Sequence, residues 1–301
     1  MWSCILQKTA RRDGLPKGSK IELIRIESGD GVFLDGVLWT PEPSGLEVGI
    51  VLFPGTGAEF YNSLFSYLGA GFAAAGYMTL AINRRDHGAR FGFHTLAAGS
   101  ADQGLAIDFL RERGAKDIVA GGHSYGTVTI PWYISETDDV RVRAILLYAP
   151  LGDLRSASVA ICGGQKKYDY FVAQSREMIA AGRGAEAFLI PPMVPGAMPF
   201  LHTYEVFLDK RGPDSKAVPI DLLPRLGNRK ILGIRDPADP YPATVPPAQE
   251  LLEAANRNLD YILLDDVNNG STTPDAHYFR GREEEVLKIT LRWLEAIGLT
   301  T

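Results

Sequence analysis

The residues Gly122-His123-Ser124-Tyr125-Gly126 stand between a short β-favouring run, Asp117-Ile118-Val119-Ala120-Gly121, and an apolar stretch from Thr127 to Ile134 with helical character. A serine on such a sharp strand-to-helix turn projects its hydroxyl into solvent, and the small residues on both sides keep the turn feasible. That geometry suits a nucleophile. Acyl transfer through serine also needs a base to take the hydroxyl proton, an acid to orient the base, and hydrogen-bond donors for the oxyanion. The bare Gly-x-Ser-x-Gly pattern is not decisive, so the strand before it and the helix after it carry the assignment.

Strand, elbow and helix in this order resemble the α/β-hydrolase superfamily, and the resemblance runs as a succession of segments from about Lys20 to about Ile297. It implies the chain order serine, acid, histidine. Two histidines follow Ser124, namely His202 and His277. His277 lies in Asp275-Ala276-His277-Tyr278-Phe279, which resembles the superfamily's catalytic histidine loop and makes it the preferred base; His202 reads as a cap or core histidine. The acid's place falls to Asp239 in Ile231-Leu232-Gly233-Ile234-Arg235-Asp236-Pro237-Ala238-Asp239-Pro240, similar to the family's pattern of strand, glycine, two residues and aspartate. Asp236 stands where the family usually has glycine, which puts a second carboxylate three residues away. Spacing does not separate the two, and Asp239 is favoured; Asp265 and Asp266 are third choices, more simply solvated loop carboxylates.

Phe53-Pro54-Gly55-Thr56-Gly57 closes an apolar run and is similar to the superfamily's His-Gly-x-Gly oxyanion segment, with Pro54 replacing the histidine. The useful donor is a backbone N–H, so the resemblance implies an oxyanion hole from Thr56 and Tyr125. Asn83-Arg84-Arg85-Asp86-His87-Gly88 resembles the family's Arg-Gly-His-Gly loop, with Asp86 in place of the first glycine, and reads as structural. Asp102 is expected to cap or charge the start of the helix before the elbow strand. His94 and His123 are assigned to packing or loop structure.

These residues need a scaffold. Ile21 to Ile26 and Val32 to Trp39 alternate apolar and polar residues around Ser28-Gly29-Asp30-Gly31, the pattern of a hairpin of half-buried strands. Val48 to Phe53, Tyr77 to Ile82, Ile118 to Gly121, Ala144 to Tyr148, Ile231 to Ile234 and Tyr261 to Leu264 are mostly continuous apolar runs, as in parallel strands covered on both faces. Helical patterns lie between them at Phe60 to Ala75, Ala101 to Arg113, Ser124 to Ile134, Pro247 to Asn256 and Arg282 to Ile297. The expectation is an α/β fold, a mainly parallel eight-stranded sheet flanked by helices. Residues 1–153 and 227–301 form its core, and residues 154–226 form a helical cap inserted after strand six, with helices at Tyr168 to Ala181 and around His202 to Leu208 and a proline-rich run from Ile190 to Pro195. Tyr61, Phe65, Phe91, Phe93, Tyr168, Phe171, Met193, Phe200 and Tyr204 offer apolar surface near the cap and the oxyanion segment.

Composition narrows the function classes. A chain of 301 residues with 46% hydrophobic content can bury a large core. Net charge −5 and a pI near 5.6 give no basic footprint for nucleic acid. Cys4 and Cys162 are far apart and lack metal-spaced neighbours, so neither a disulfide framework nor a metal site is expected, and a reducing compartment is. The apolar N-terminal run is too short for a signal peptide, and no segment approaches the ~18 apolar residues of a membrane span, so the protein is expected to be soluble and cytoplasmic. The functional expectation is a cofactor-independent serine hydrolase that cleaves small to medium apolar carboxylic esters or lactones. Amide, thioester or carbon-carbon bond hydrolysis and acyl transfer are alternatives on the same residues, and a small-molecule sensor is a third reading.

Overall fold

The structure is a computed structural model and describes residues 19–42, 47–191, 199–241 and 248–300. Its strands are β1 (Ser19–Glu27), β2 (Phe33–Pro41), β3 (Val48–Phe53), β4 (Met78–Ile82), β5 (Asp117–His123), β6 (Val142–Tyr148), β7 (Ala187–Ile190), β8 (Phe200–Thr203), β9 (Lys230–Arg235) and β10 (Leu259–Leu263). Eight of them form one sheet in the order β1-β2-β4-β3-β5-β6-β9-β10. β2 is antiparallel to its neighbours β1 and β4, and every other pairing is parallel, so the expected hairpin is the antiparallel edge of an otherwise parallel sheet.

Helices α1 (Ser63–Ala74), α2 (Leu96–Glu112), α3 (Gly126–Thr137), α4 (Leu154–Ile161), α5 (Gln165–Ala180), α6 (Tyr204–Arg211), α7 (Pro219–Leu222), α8 (Ala248–Ala255), α9 (Pro274–His277) and α10 (Glu283–Ala296) complete the fold. The continuous apolar strands are explained by what covers them. Along β3, Ile50 and Leu52 join a cluster with Leu64 and Phe72 of α1 and with Val286 and Trp293 of α10. Val51 and Phe53 point the other way, into a cluster with Ile107 of α2, Ile130 of α3 and Leu252 of α8. Successive residues therefore serve opposite faces, as the two-residue period requires.

Two expectations need correction. The helix before the elbow strand starts at Leu96, where the Thr95 side chain accepts from the Ala98 N–H, not near Ala101. Asp102 is thus mid-helix and caps nothing: its carboxylate is buried and accepts from the Arg85 backbone N–H at 2.6 Å and from Arg85 Nη2 at 2.8 Å. Between β6 and β9 the chain is not purely helical, because β7 and β8 pair as an antiparallel two-stranded sheet with Phe188 opposite His202. His202 sits on β8, and the helix expected around it begins at Tyr204. Apolar runs of four residues do not distinguish strand from helix by periodicity. The proline-rich run beyond Pro191, and Met193 with it, lies outside the described residues, as does Cys4.

Candidate active site

β5 ends at His123, α3 begins at Gly126, and Ser124 occupies the turn with φ 53°, a left-handed conformation that is uncommon for a residue with a side chain. The two glycines of the motif are required by close approach. A Cβ at Gly122 would stand 2.4 Å from the Gly126 carbonyl carbon, and one at Gly126 would stand 2.5 Å from the Phe53 carbonyl oxygen. The turn is thereby pressed between α3 and the end of β3, and Ser124 is half-buried while the residues beside it are buried.

His277, the last residue of α9, is buried, and its Nδ1 lies 2.7 Å from Asp239 Oδ2. A carboxylate there holds the proton on Nδ1 and leaves Nε2 with a free lone pair. Asp239 is itself held, since its Oδ1 accepts the Tyr241 N–H at 2.9 Å. Asp236 is engaged elsewhere: it accepts from the Ala238 N–H at 2.9 Å and from Arg282 Nη1 at 3.1 Å. This second carboxylate anchors the turn after β9 to Arg282, the residue that opens α10. His123, below the elbow, donates from Nε2 to the His277 carbonyl at 2.7 Å. Burial, followed by the nearby His277 ring, pushes the His123 pKa down to about 3, so its ring is neutral. His202 is wholly buried with Arg211 Nε donating to its Nε2 at 3.1 Å, which commits the lone pair a base would use. Asp265 and Asp266 are exposed.

The segment after β3 meets the elbow directly: a Cβ on Gly55 would stand 2.7 Å from Ser124 Cβ. The Thr56 backbone lies in this segment, and the Tyr125 N–H, immediately before the first turn of α3, has no carbonyl one turn back to bond. Arg84 Nη1 donates to the Pro54 carbonyl at 2.9 Å while Arg84 Nε donates to Asp86 at 2.9 Å. Asp86 also accepts from Lys210 Nζ at 2.9 Å, and all three side chains are buried. Burial alone would raise the Asp86 carboxyl, but the two cations hold it down at about 2. The loop resembling Arg-Gly-His-Gly is thus braced through Arg84 and Asp86, with His87 Nδ1 2.8 Å from Glu59, and its Gly88 lines the same cavity as Ser124.

A cavity of ≈ 280 Å³ is lined by Ser124, His277, Gly55, Thr56 and Tyr125 together. Leu151, Leu154, Ile161, Phe91 and Phe200 supply apolar wall, most of it from the segment between β6 and β9. Among the described residues no group of three or more His, Cys, Asp or Glu side chains is placed to hold a metal ion.

The model of the alpha/beta hydrolase family matches residues 50–288. The chain belongs to the alpha/beta hydrolase family. Its activity is accordingly hydrolysis. No curated protein matches its sequence. Among solved structures, the hydrolase is similar to DcsB in complex with its substrate analogue, at 15% identity, over 92% of this chain and 99% of that one, with a TM-score of 0.68. It is also similar to a highly thermostable carboxyl esterase from Bacillus coagulans in complex with glycerol (14% identity, 92% and 98% of the two chains, TM-score 0.63). Est1E from Butyrivibrio proteoclasticus with ferulic acid bound gives 15% identity, 89% and 98% coverage and a TM-score of 0.62. At these identities the likeness is one of fold.

Of the aromatic residues read as site surface in this hydrolase, Phe91 and Phe200 do line the cavity, whereas Phe65 belongs to the sheet core and Tyr61 and Phe93 are exposed. Tyr168, Phe171 and Tyr204 pack within the β6–β9 segment. Sequence reasoning missed Tyr241 and Arg211. The Tyr241 ring lies 4.4 Å from the His277 ring, and its place two residues past Asp239 was the available signal. Arg211 left none, because a Lys-Arg pair ending a helix ordinarily meets solvent. No described helix is long and apolar enough to cross a membrane.

Proposed function

We propose that this protein is a serine hydrolase that cleaves carboxylic esters or lactones of small to medium apolar compounds through an acyl-enzyme. The observation that carries the reading is the 2.7 Å contact of His277 Nδ1 with Asp239, on a histidine that shares one cavity with Ser124. Ser124 Oγ attacks the carbonyl carbon as His277 Nε2 takes its proton. Asp239 fixes the tautomer and stabilises the imidazolium, and the N–H groups of Thr56 and Tyr125 receive the oxyanion. His277 then returns the proton to the leaving alcohol, activates a water in the same way, and the acid departs with Ser124 restored.

Residues 154–226 act as a cap over this centre, a role supported by the apolar wall that Leu154, Ile161 and Phe200 give the cavity. A wall of that kind favours a small apolar acyl or alcohol part over a polymer or nucleic acid. The test is a fluorophosphonate probe with intact-mass detection on wild type and Ser124→Ala. One adduct on the wild type alone is the expected result; a folded wild type that stays unlabelled overturns the reading.

A further inference from the structure

Arg211 ends α6 and lines the cavity that holds Ser124 and His277, yet it is 2% exposed. Its Nε donates to His202, a neutral acceptor, at 3.1 Å. The Phe200 and Phe91 rings lie 4.7 and 5.7 Å from its Cζ. Its Nη1 is buried with no hydrogen-bond partner. Among the described residues, the side chains that could offset its charge are the Tyr125 phenol and the Cys162 thiol, both pushed up by burial and so neutral at ordinary pH. Lys210, one residue earlier and equally buried, shows what a satisfied cation looks like here, since it has Asp86.

A guanidinium does not escape burial by losing its proton. Aromatic faces and the end of a short helix offset only a fraction of the cost of an unpaired buried cation. The Tyr125 hydroxyl, on another residue lining the cavity, is a second buried polar atom without a partner. A cavity with an apolar wall thus carries one unanswered positive charge and one spare hydroxyl.

We propose, building on the hydrolase reading of Ser124 and His277, that Arg211 binds a carboxylate on the substrate, so that the preferred ester or lactone carries one free carboxylate remote from the scissile carbonyl. Nε is committed to His202, which fixes the plane of the guanidinium and leaves its two terminal nitrogens as donors for the incoming anion. The apolar wall formed by Leu151, Leu154 and Ile161 then receives the hydrocarbon between the two ends.

The experiment compares mono-nitrophenyl esters of straight-chain dicarboxylic acids, from succinate to suberate, with the same compounds capped as neutral methyl esters. Wild type is expected to favour the charged member at one or more chain lengths by about tenfold or more in kcat/KM, the worth of one charge-assisted hydrogen bond. The preference should appear mainly in KM. In Arg211→Met the charged-to-neutral ratio should collapse towards one, and Arg211→Lys should retain part of it. No preference in wild type, or an unchanged ratio in Arg211→Met, overturns the proposal; the wild-type pair decides alone if the variant does not fold. Where wild type cleaves neither member, calorimetric titration of Ser124→Ala with monomethyl adipate decides. Binding that Arg211→Met removes supports the site, and absence of binding overturns it. Fluorophosphonate labelling in parallel reports on Ser124, so failure of the hydrolase reading and failure of the anion site give different results.

Discussion

Gly55 faces Ser124 so closely that a Cβ on residue 55 would stand 2.7 Å from Ser124 Cβ and 3.3 Å from its Oγ. Gly55→Ala must therefore move either the elbow or the segment that presents the Thr56 N–H. The expected outcome is a fall of about 10²–10³ in kcat, the scale of losing an oxyanion donor, with a smaller change in KM. Steady-state kinetics and the rate of fluorophosphonate labelling check it.

The two carboxylates after β9 have different partners, His277 for Asp239 and Arg282 for Asp236. Asp239→Asn should lower kcat by about 10⁴, since the amide no longer enforces the tautomer that leaves Nε2 free. Asp236→Asn should mainly destabilise, by about 1–3 kcal/mol, because Arg282 keeps its contact with Glu285. Parallel ester kinetics and urea unfolding of the two variants distinguish them. Equal losses of turnover at matched folding would mean that the acid is misassigned.

Lys210 and Arg84 share Asp86 in a wholly buried cluster. Lys210→Met should cost about 3–5 kcal/mol of stability by leaving Asp86 short of a partner. Adding Asp86→Asn should cost less than the two single changes summed, and a double-mutant cycle in urea gives the coupling directly.

Acid sensitivity follows from the buried histidines. The His123 pKa falls from 6.5 to about 3 on folding, and burial drives His202 the same way. Above pH 6.5 neither state of the chain takes up a proton at these rings. Below it the unfolded chain does and the folded chain does not, so stability declines as pH falls from 6.5 towards 3. The slope is on the order of 1 kcal/mol per pH unit for each ring. His123→Phe should be less stable than wild type at neutral pH and should show a shallower decline, read from urea midpoints across the acid range.

The sheet was legible because parallel strands covered on both faces must be continuously apolar, and all eight expected strands form. That Ser124 would stand on a strand-to-helix turn was legible from the runs on either side of it, whereas the meeting of His277 with Asp239 was anticipated only through the resemblance of their loops to those of the α/β-hydrolases. The glycines beside Ser124 are needed by contacts of 2.4–2.5 Å, and that need shows in the sequence. Asp236 against Asp239 was not separable, since their partners Arg282 and His277 lie far along the chain. The β7–β8 pair escaped notice because Phe188-Leu189-Ile190 is too short to show a period. Arg211 was invisible for a different reason: its significance lies in the lack of an acid beside it among the described residues, which only the packed chain reveals.

The ion pair between Lys210 and Asp86, together with the Leu96 N–H donated to Asp209 at 2.6 Å, has an evolutionary and engineering consequence. The excursion between β6 and β9 is not an interchangeable part. Transplanting a foreign one would leave Asp86 buried with a single cation, the Arg84 that also holds the Pro54 carbonyl, and would strip the Leu96 amide of its acceptor. New specificities in this lineage are therefore reached more readily by changing wall residues such as Leu154 and Ile161 one at a time than by exchanging the whole excursion, and successful chimaeras will be those that carry the Asn83–Gly88 loop along with it.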